Sequence, residues 1–383
     1  MIAINELHSW LHKHEPEIVR LLGRMVEIES PSHDKAAAGR LSQLVASEWK
    51  RRGAQVRLLR QSRCGDHVVA ELRPAHKAAG RQLLVLGHLD TVYPMGTLAK
   101  MPFRVAKGRA WGPGTFDMKG GLAIALAAAD AMQSRGISPR RKIVFLWTSD
   151  EEIGSGNSRM FIEREARQSH AVFVLEPAYG RDGRLKTQRK GVGEAELIVT
   201  GRSAHAGIDP ESGVNAVHEL ALQIARLLKW NDRKRGITVQ ANVVEGGTVT
   251  NVVAASARAL IDVRVVRLAD AHALNRKLRA LRPILRNAKL EVIGGINRPP
   301  MERTPGSRAL FAHAQELARE MHVKLGEAAT GGGSDGNLTA ALGVPTLDGL
   351  GAVGDGAHSP REHILISSLS ERAAILAGLL ATV

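Results

Sequence analysis

Three short apolar runs in this chain each end in a carboxylate or an imidazole, and this recurrence constrains the fold more than any other feature. Gln82 to Leu86 (QLLVL) leads into Gly87-His88-Leu89-Asp90-Thr91, and Lys142 to Trp147 (KIVFLW) leads into Thr148-Ser149-Asp150-Glu151-Glu152. Ala171 to Leu175 (AVFVL) leads into Glu176-Pro177. Apolar runs of this length, separated by helical patterns, read as buried strands of an α/β sheet. Open sheets of that kind carry their chemistry at the C-terminal ends of the strands. Two loops extend the set. Trp111-Gly112-Pro113-Gly114-Thr115-Phe116-Asp117 packs turn formers around one carboxylate just before the helix-prone LAIALAAADAMQ. The glycine-rich Gly351 to Pro360 presents His358.

Each motif alone has a plain structural explanation. His88 and Asp90 could be a polar pair at a strand end, Asp117 a helix N-cap, and Asp150 to Glu152 a solvated acidic turn. Taken together they supply the nitrogen and oxygen ligands that suit zinc at two adjacent centres. His88 and Asp90 are two apart, so an extended chain turns both to one side, with His88 as a ligand and Asp90 accepting its other N–H. Three adjacent carboxylates directly after a buried strand repel one another unless cations compensate them. Metal-assisted hydrolysis also needs a carboxylate that is not a ligand to move the water's proton, and the Glu151-Glu152 pair could divide those two tasks.

The motifs HLDTVYP, GPGTFDMKGG, TSDEEIGS, LEP, GRSAHAG, GTVTNVVAASARALIDVR, GGGSDGN and GAHSP occur in order from about residue 80 to 365. In this the chain resembles the co-catalytic zinc exopeptidases of aminoacylase and carboxypeptidase type, and among them the bacterial glutamate carboxypeptidases. The resemblance implies two Zn2+ per chain, other divalent metals being substitutes. It implies that Asp117 bridges them, that Glu152 and His358 complete one centre, and that His88 and Glu176 complete the other. Glu151 would be the general base and Asp90 the partner of His88, with a cis peptide at Asp117-Met118. His205 would stabilise the oxyanion, while Asn251 and Arg264 would hold the substrate's terminal carboxylate. Gly332 and Gly333 would let backbone approach the substrate. The implied activity is amide hydrolysis releasing C-terminal glutamate from N-acyl or folate-like peptidyl conjugates; the alternative is an N-acyl amino acid deacylase or dipeptidase with the same metal site.

At 383 residues the chain is long enough for two domains. The expected fold class is α/β: a zinc-exopeptidase catalytic domain with a mixed central sheet flanked by helices, formed by residues 1–188 and 302–383. Residues 189–301 follow a β-α-β-β-α-β pattern that resembles a ferredoxin-like α+β insert, which the family uses as a dimerisation or lid domain. A homodimer through this insert is therefore expected. The N-terminal stretch places Leu7, Leu11, Ile18, Leu22 and Met25 at helical spacing between charges, an amphipathic helix and not a signal peptide. No apolar run approaches membrane length, and the single cysteine, Cys64, speaks against a disulfide framework; the expectation is a cytoplasmic enzyme.

The net charge of +15 arises from short scattered clusters such as Lys50-Arg51-Arg52, Arg140-Arg141-Lys142 and Arg233-Lys234-Arg235. With aromatics at 3% there is little from which to build a base-stacking surface, so no nucleic-acid partner is expected. A basic field could instead attract dianionic substrates. One rival enzyme class has a motif of its own: Gly332-Gly333-Ser334-Asp335-Gly336 matches G-x-S-x-G, and Asp348 and His358 follow in serine-hydrolase order. Against it, the preceding ATGG is a poor strand, no HGGG-type oxyanion motif occurs, and His88, Asp117 and the acidic pair stay unexplained.

Overall fold

The computed structural model describes residues 4–75 and 78–383. The chain divides into two compact units. One holds the residues up to Gln188 together with Arg303–Thr330 and Ser334–Val383, and the other holds Arg189–Glu302 with Gly331–Gly333.

In the larger unit the three apolar runs become neighbouring strands. Gln82–His88 lies between Ile143–Thr148 and Ser169–Val174 and runs parallel to both. Every residue of Gln82–His88 and Ile143–Thr148 is buried, which is why these strands read as continuous apolar runs without polar alternation. The sheet is mixed: His67–Leu72 joins Ile143–Thr148 antiparallel, Gln55–Leu59 extends that edge, and Thr346–Leu347 adds a parallel strand at the other. Three parallel neighbours bring their C-terminal ends side by side. That is how His88, the Glu151-Glu152 turn and Glu176 come together from widely spaced sequence.

Helices cover both faces. Gly120–Ser134 packs against Glu15–Val26 and Ser367–Thr382, and the last of these also packs on Ile4–Lys13 and Pro305–Glu320. The alanines of Gly120–Ser134 are buried nearly all round the helix, as expected of one that is apolar on every side. On the opposite face Arg159–Arg167 and Gly336–Ala340 cover a smaller apolar cluster that includes Leu84, Leu86, Val144 and Val172. The N-terminal stretch departs from the single helix expected: it forms two, Ile4–Lys13 and Glu15–Val26, with His14 between them. Pro16 lacks an N–H and crowds the residue before it, so a helix can begin there but not run through. The apolar spacing survives the break, and Leu7, Leu11, Ile18, Leu22 and Met25 are all buried.

A small sheet positions the last loop. Gly354–Asp355 and His363–Leu365 form a hairpin, and His363–Leu365 pairs with Arg109–Trp111, immediately before the Gly112 to Asp117 loop. The loops bearing His358 and Asp117 are thereby joined at their bases.

The smaller unit has an antiparallel sheet in the order Thr238–Gly246, Ser256–Val265, Gly191–Thr200, Lys289–Arg298, with helices Ala216–Leu228 and Leu268–Arg279. Its central strands alternate buried and more exposed residues, as a sheet with one covered face requires. Leu197, Val199, Leu220, Ile261, Val263 and Leu274 belong to its core. Among the described residues no helix is long and apolar enough to cross a membrane.

Candidate metal centre

Asp117 is the hinge of the arrangement, because each of its oxygens faces a different histidine. Oδ1 lies 3.2 Å from His88 Nε2, which is also 3.4 Å from Glu176 Oε1. Oδ2 lies 3.3 Å from His358 Nε2, which is 3.4 Å from Glu152 Oε1. Two three-membered donor groups result, His88-Asp117-Glu176 and Asp117-Glu152-His358, with Asp117 in both. They differ in openness: the His88 side chain is 1% exposed and that of His358 50%. His358 adopts a positive φ of 59°, a conformation side-chain-bearing residues seldom take. The peptide bond from Asp117 to Met118 is cis.

The donor set fits divalent cations on both charge and spacing. Metal–ligand bonds of about 2.0–2.2 Å at tetrahedral angles put neighbouring ligand atoms roughly 3.3–3.6 Å apart, whereas a charge-assisted N–H to carboxylate bond closes to about 2.7–2.9 Å. Separations of 3.2–3.4 Å match the first pattern better. The charge points the same way. Burial opposes a proton on His88, yet hydrogen bonds from Asp117, Asp90 and Glu176 hold its pKa well above the ordinary histidine value. Hydrogen bonds from Asp117 and then Glu152 raise His358 to about 10. Burial pushes Asp117 up, but its two imidazole neighbours more than reverse this and lower it. Glu152 is raised, chiefly by burial, and its Oε1 is buried without a hydrogen-bond donor. Protons held this tightly stand where cations would serve.

Around the donors lies a layer of hydrogen bonds only part of which the sequence disclosed. His88 Nδ1 is 2.9 Å from the Asp90 carbonyl and 3.6 Å from the Asp90 carboxylate, so the backbone is the closer acceptor of the two. The Asp90 carboxylate accepts from Ser32 Oγ at 2.7 Å and from the N–H groups of Glu151 and Glu152 at 3.2 Å each. It therefore anchors the acidic turn as well as lying beside His88. Asp150 turns away and accepts from Asn157 and Ser158 N–H groups, which accounts for one of the three adjacent carboxylates. Asp335 grips both ends of the same turn, receiving Thr148 Oγ1 at 3.2 Å and, by a short contact, Ser155 Oγ. Ser32 and Asp335 were not foreseen. The second lies inside GGGSDGN, where the glycines and Ser334 drew the reading.

The remaining expected residues belong to the smaller unit. His205 is exposed, and its Nδ1 accepts from Gly207 and Ile208 N–H at 3.2 Å each, which leaves the ring proton on Nε2. The Asn251 carbonyl accepts from Ala206 N–H, tying its loop to the His205 loop. Arg264 makes a forked pair with Asp262, Nη2 to Oδ2 at 2.8 Å and Nε at 3.1 Å, and its Nη1 reaches the Gly331 carbonyl at 3.3 Å. The carbonyls of Gly332 and Gly333 accept from Arg189.

The serine-hydrolase alternative is overturned by geometry. Ser334 is fully buried and its hydroxyl donates directly to Asp348 Oδ2 at 2.6 Å, where a triad requires an intervening imidazole. His358 stands instead between Asp117 and Glu152. The ATGG segment read as a poor strand is half strand: Glu327–Thr330 pairs with Leu185–Arg189, a partner that local sequence does not reveal, and Gly331 and Gly332 lie beyond it.

The chain matches the model of peptidase family M20/M25/M40 over residues 84–382. It is 32% identical over 372 residues to carboxypeptidase G2 of Pseudomonas sp. (strain RS-16), covering 96% of this chain and 89% of that one. Succinyl-diaminopimelate desuccinylase of Paraburkholderia xenovorans (strain LB400) is 28% identical over 313 residues, 76% and 80% of the two chains. Among solved structures, aminopeptidase PepT from Bacillus cereus ATCC 10987 superposes with a TM-score of 0.76 at 21% identity, covering 96% of this chain and 98% of that one. At that identity the likeness is one of fold.

A third group, Cys64, His67 and Asp150, is fully buried and also brings ligand atoms within 4.8 Å of one another. Its protonation argues against a metal. Ser149 N–H donates to His67 Nδ1 at 3.1 Å, so the neutral ring carries its proton on Nε2 and offers no lone pair there. Burial, and after it the Asp150 charge, pushes the Cys64 thiol up to about 12. A raised thiol pKa keeps the unreactive neutral form through the whole neutral range. Native protein at pH 8 should thus resist an aromatic disulfide reagent that titrates one thiol after unfolding; native labelling at the rate of free cysteine would refute this assignment.

Proposed function

The chain belongs to peptidase family M20/M25/M40, and from that premise we propose that it releases C-terminal glutamate from N-acyl or folate-like peptidyl conjugates. It is a metallopeptidase acting on amide or peptide bonds. The observation that carries the reading is the placement of one Asp117 oxygen in each of two donor groups. In this reading His88 and Glu176 hold one cation, Glu152 and His358 hold the other, and Asp117 is common to both. Two divalent cations, zinc foremost, would supply Lewis-acid polarisation of the scissile carbonyl and acidify the attacking water.

The chain's own groups perform the rest. Glu151 takes the water's proton on its carboxylate and delivers it to the departing amine nitrogen. Asp90 offers His88 Nδ1 an acceptor, leaving Nε2 for ligation, and its carboxylate fixes the turn that carries the base. His205, with its proton on Nε2, is in the tautomer that can donate to a developing oxyanion. Arg264 and Asn251 receive the substrate's terminal carboxylate, and Gly332 and Gly333 contribute backbone. A planar guanidinium suits that role because its fork matches a carboxylate.

Glutamate is favoured by the likeness to carboxypeptidase G2 over nearly the full length and by the net charge of +15, which favours dianionic substrates. The second reading, deacylation of N-acyl amino acids or dipeptide cleavage, draws on the likeness to the desuccinylase and needs no change in the metal ligands. The smaller unit has the β-α-β-β-α-β order of a ferredoxin-like domain and is assigned to lid and dimer formation. Support for a homodimer comes from the sheet-edge strand Thr238–Gly246, where Val243 and Val244 are 42% and 56% exposed, and from exposed Val217 and Leu222 on Ala216–Leu228. Cytoplasmic action completes the reading; with one cysteine, Cys64, the chain has no disulfide framework of the kind secreted proteins use.

Three measurements test these assignments. Folate, methotrexate and a panel of N-acyl amino acids should show chelator-sensitive, zinc-restored release confined to glutamyl conjugates. Equal rates on acetyl or succinyl amino acids would replace the substrate and keep the centre. Glu151→Ala should keep both cations while kcat falls by at least ~100-fold, the contribution expected of a general base; near-normal turnover would remove Glu151 from that role. Val244→Glu should shift the protein from dimer to monomer in sedimentation, whereas a wild type that sediments as a monomer would end the homodimer proposal.

A further inference from the structure

The loop of Asp117 is not held by its own residues alone. Glu362, fully buried and four residues beyond His358, reaches into it with both carboxylate oxygens. Oε1 accepts the N–H of Phe116 at 2.7 Å and of Asp117 itself at 2.9 Å. Oε2 accepts the N–H of Gly114 at 3.0 Å and lies 2.6 Å from the Tyr93 hydroxyl. That hydroxyl is also 3.0 Å from the Ser359 carbonyl. The Glu362 carbonyl receives Gly112 N–H at 3.4 Å, closing the same loop from its other end.

Three segments therefore meet on one buried carboxylate. His88 to Tyr93 carries His88, Gly112 to Asp117 carries Asp117, and His358 to Glu362 carries His358. The antiparallel pairing of His363–Leu365 with Arg109–Trp111 brings the bases of two of these together but leaves the tips unspecified. At the tips the chain has little freedom of its own: Gly114 has a φ of +75°, and a Cβ there would lie 2.6 Å from Thr91 Cγ2. Burying a carboxylate is costly unless it is fully hydrogen-bonded, and Glu362 has three N–H donors and one O–H. The buried Lys119 donates to the Ile28 carbonyl at 2.9 Å, and burial pushes its pKa down to about 7 although Glu362 opposes the fall. Glu362 grips the Asp117 loop through the backbone N–H groups of Gly114, Phe116 and Asp117, so its influence passes through backbone.

We infer that Glu362, with Tyr93, is a positioning residue that sets the mutual spacing of His88, Asp117 and His358 and so tunes cation affinity without touching either cation. The inference rests on the two-cation reading above. An amide at this position would turn N–H donors toward N–H donors, so Glu362→Gln is the informative change. Tyr93→Phe removes only the hydroxyl.

The experiment is titration of metal-stripped full-length protein with Zn2+ and with Co2+, following bound stoichiometry and the visible d–d bands of the cobalt form, alongside thermal unfolding without metal. Wild type should bind two cations per chain. Glu362→Gln should bind at least one of them about 10-fold or more weakly, in the range seen when outer hydrogen bonds of metal sites are removed. Its cobalt bands should shift, and with saturating metal kcat should fall more than KM rises. Tyr93→Phe should change affinity in the same direction by less. If both variants lower only the unfolding temperature while affinity and cobalt spectrum stay those of wild type, Glu362 is merely structural and the inference is overturned. Should Glu362→Gln fail to fold, Tyr93→Phe decides: unchanged affinity and spectrum overturn the inference and weakened binding upholds it. A wild type that binds no cation would instead sink the two-cation reading itself.

Discussion

Mutual repulsion among carboxylates is the constraint on which the rest of the larger unit turns. Asp117, Glu152 and Glu176 gather around the imidazoles of His88 and His358, with the Asp90 carboxylate close behind. Two like charges about 4 Å apart cost on the order of 4 kcal/mol at an effective dielectric near 20, and several such pairs approach the whole stability of a domain. Protons on His88 and His358 relieve part of this when cations are lacking, which is why both are so strongly retained. Divalent cations relieve more. The same repulsion would thus become a source of affinity for metal.

Such a site can exist only if something else keeps the carboxylates from swinging apart, and the sheet does this first. Parallel pairing of Gln82–His88 with both Ile143–Thr148 and Ser169–Val174 fixes three chain exits side by side, in a layer whose burial resists distortion. Hydrogen bonds to backbone N–H groups and side-chain hydroxyls then fix the loops. Asp90 and Asp335 hold the acidic turn, and Glu362 holds the segment of Asp117. These restraining groups are themselves carboxylates, each accepting hydrogen bonds from N–H or O–H donors.

That layering also explains which parts of the site could be read from the chain. A donor at the end of an apolar run announces itself, because strand and ligand are contiguous: His88, Glu152 and Glu176 each follow one. Asp117 and His358 lie on loops whose glycines mark a tight course. Glu362, Asp335 and Ser32 carry no such mark. Their partners lie far away in sequence, backbone amides or hydroxyls for Glu362 and Asp335 and the Asp90 carboxylate for Ser32, as with the separation of 245 positions between Glu362 and Asp117, and a lone acidic residue in a polar loop looks like any solvated charge. The break at His14 and the short strand before Ser334 were hidden for related reasons. Apolar spacing continues across the former, and the latter owes its form to pairing with Leu185–Arg189.

Metal ligands leave the choice of substrate open, because they meet only the scissile group, and in the proposed function the discriminating contacts would come from residues such as Arg264. Its pairing with Asp262 suits such a task. Both side chains are about one-third exposed, at 32% each, and ion pairs of that kind contribute only about 0–1 kcal/mol. Exchanging Asp262 for an incoming carboxylate would therefore cost little, while the guanidinium keeps the forked orientation that such a carboxylate needs. An unpaired arginine would lose more side-chain entropy on binding. In the proposed role the Asp262 pair would keep Arg264 oriented and weakly engaged, so that selectivity for a terminal carboxylate would not require an unpaired arginine.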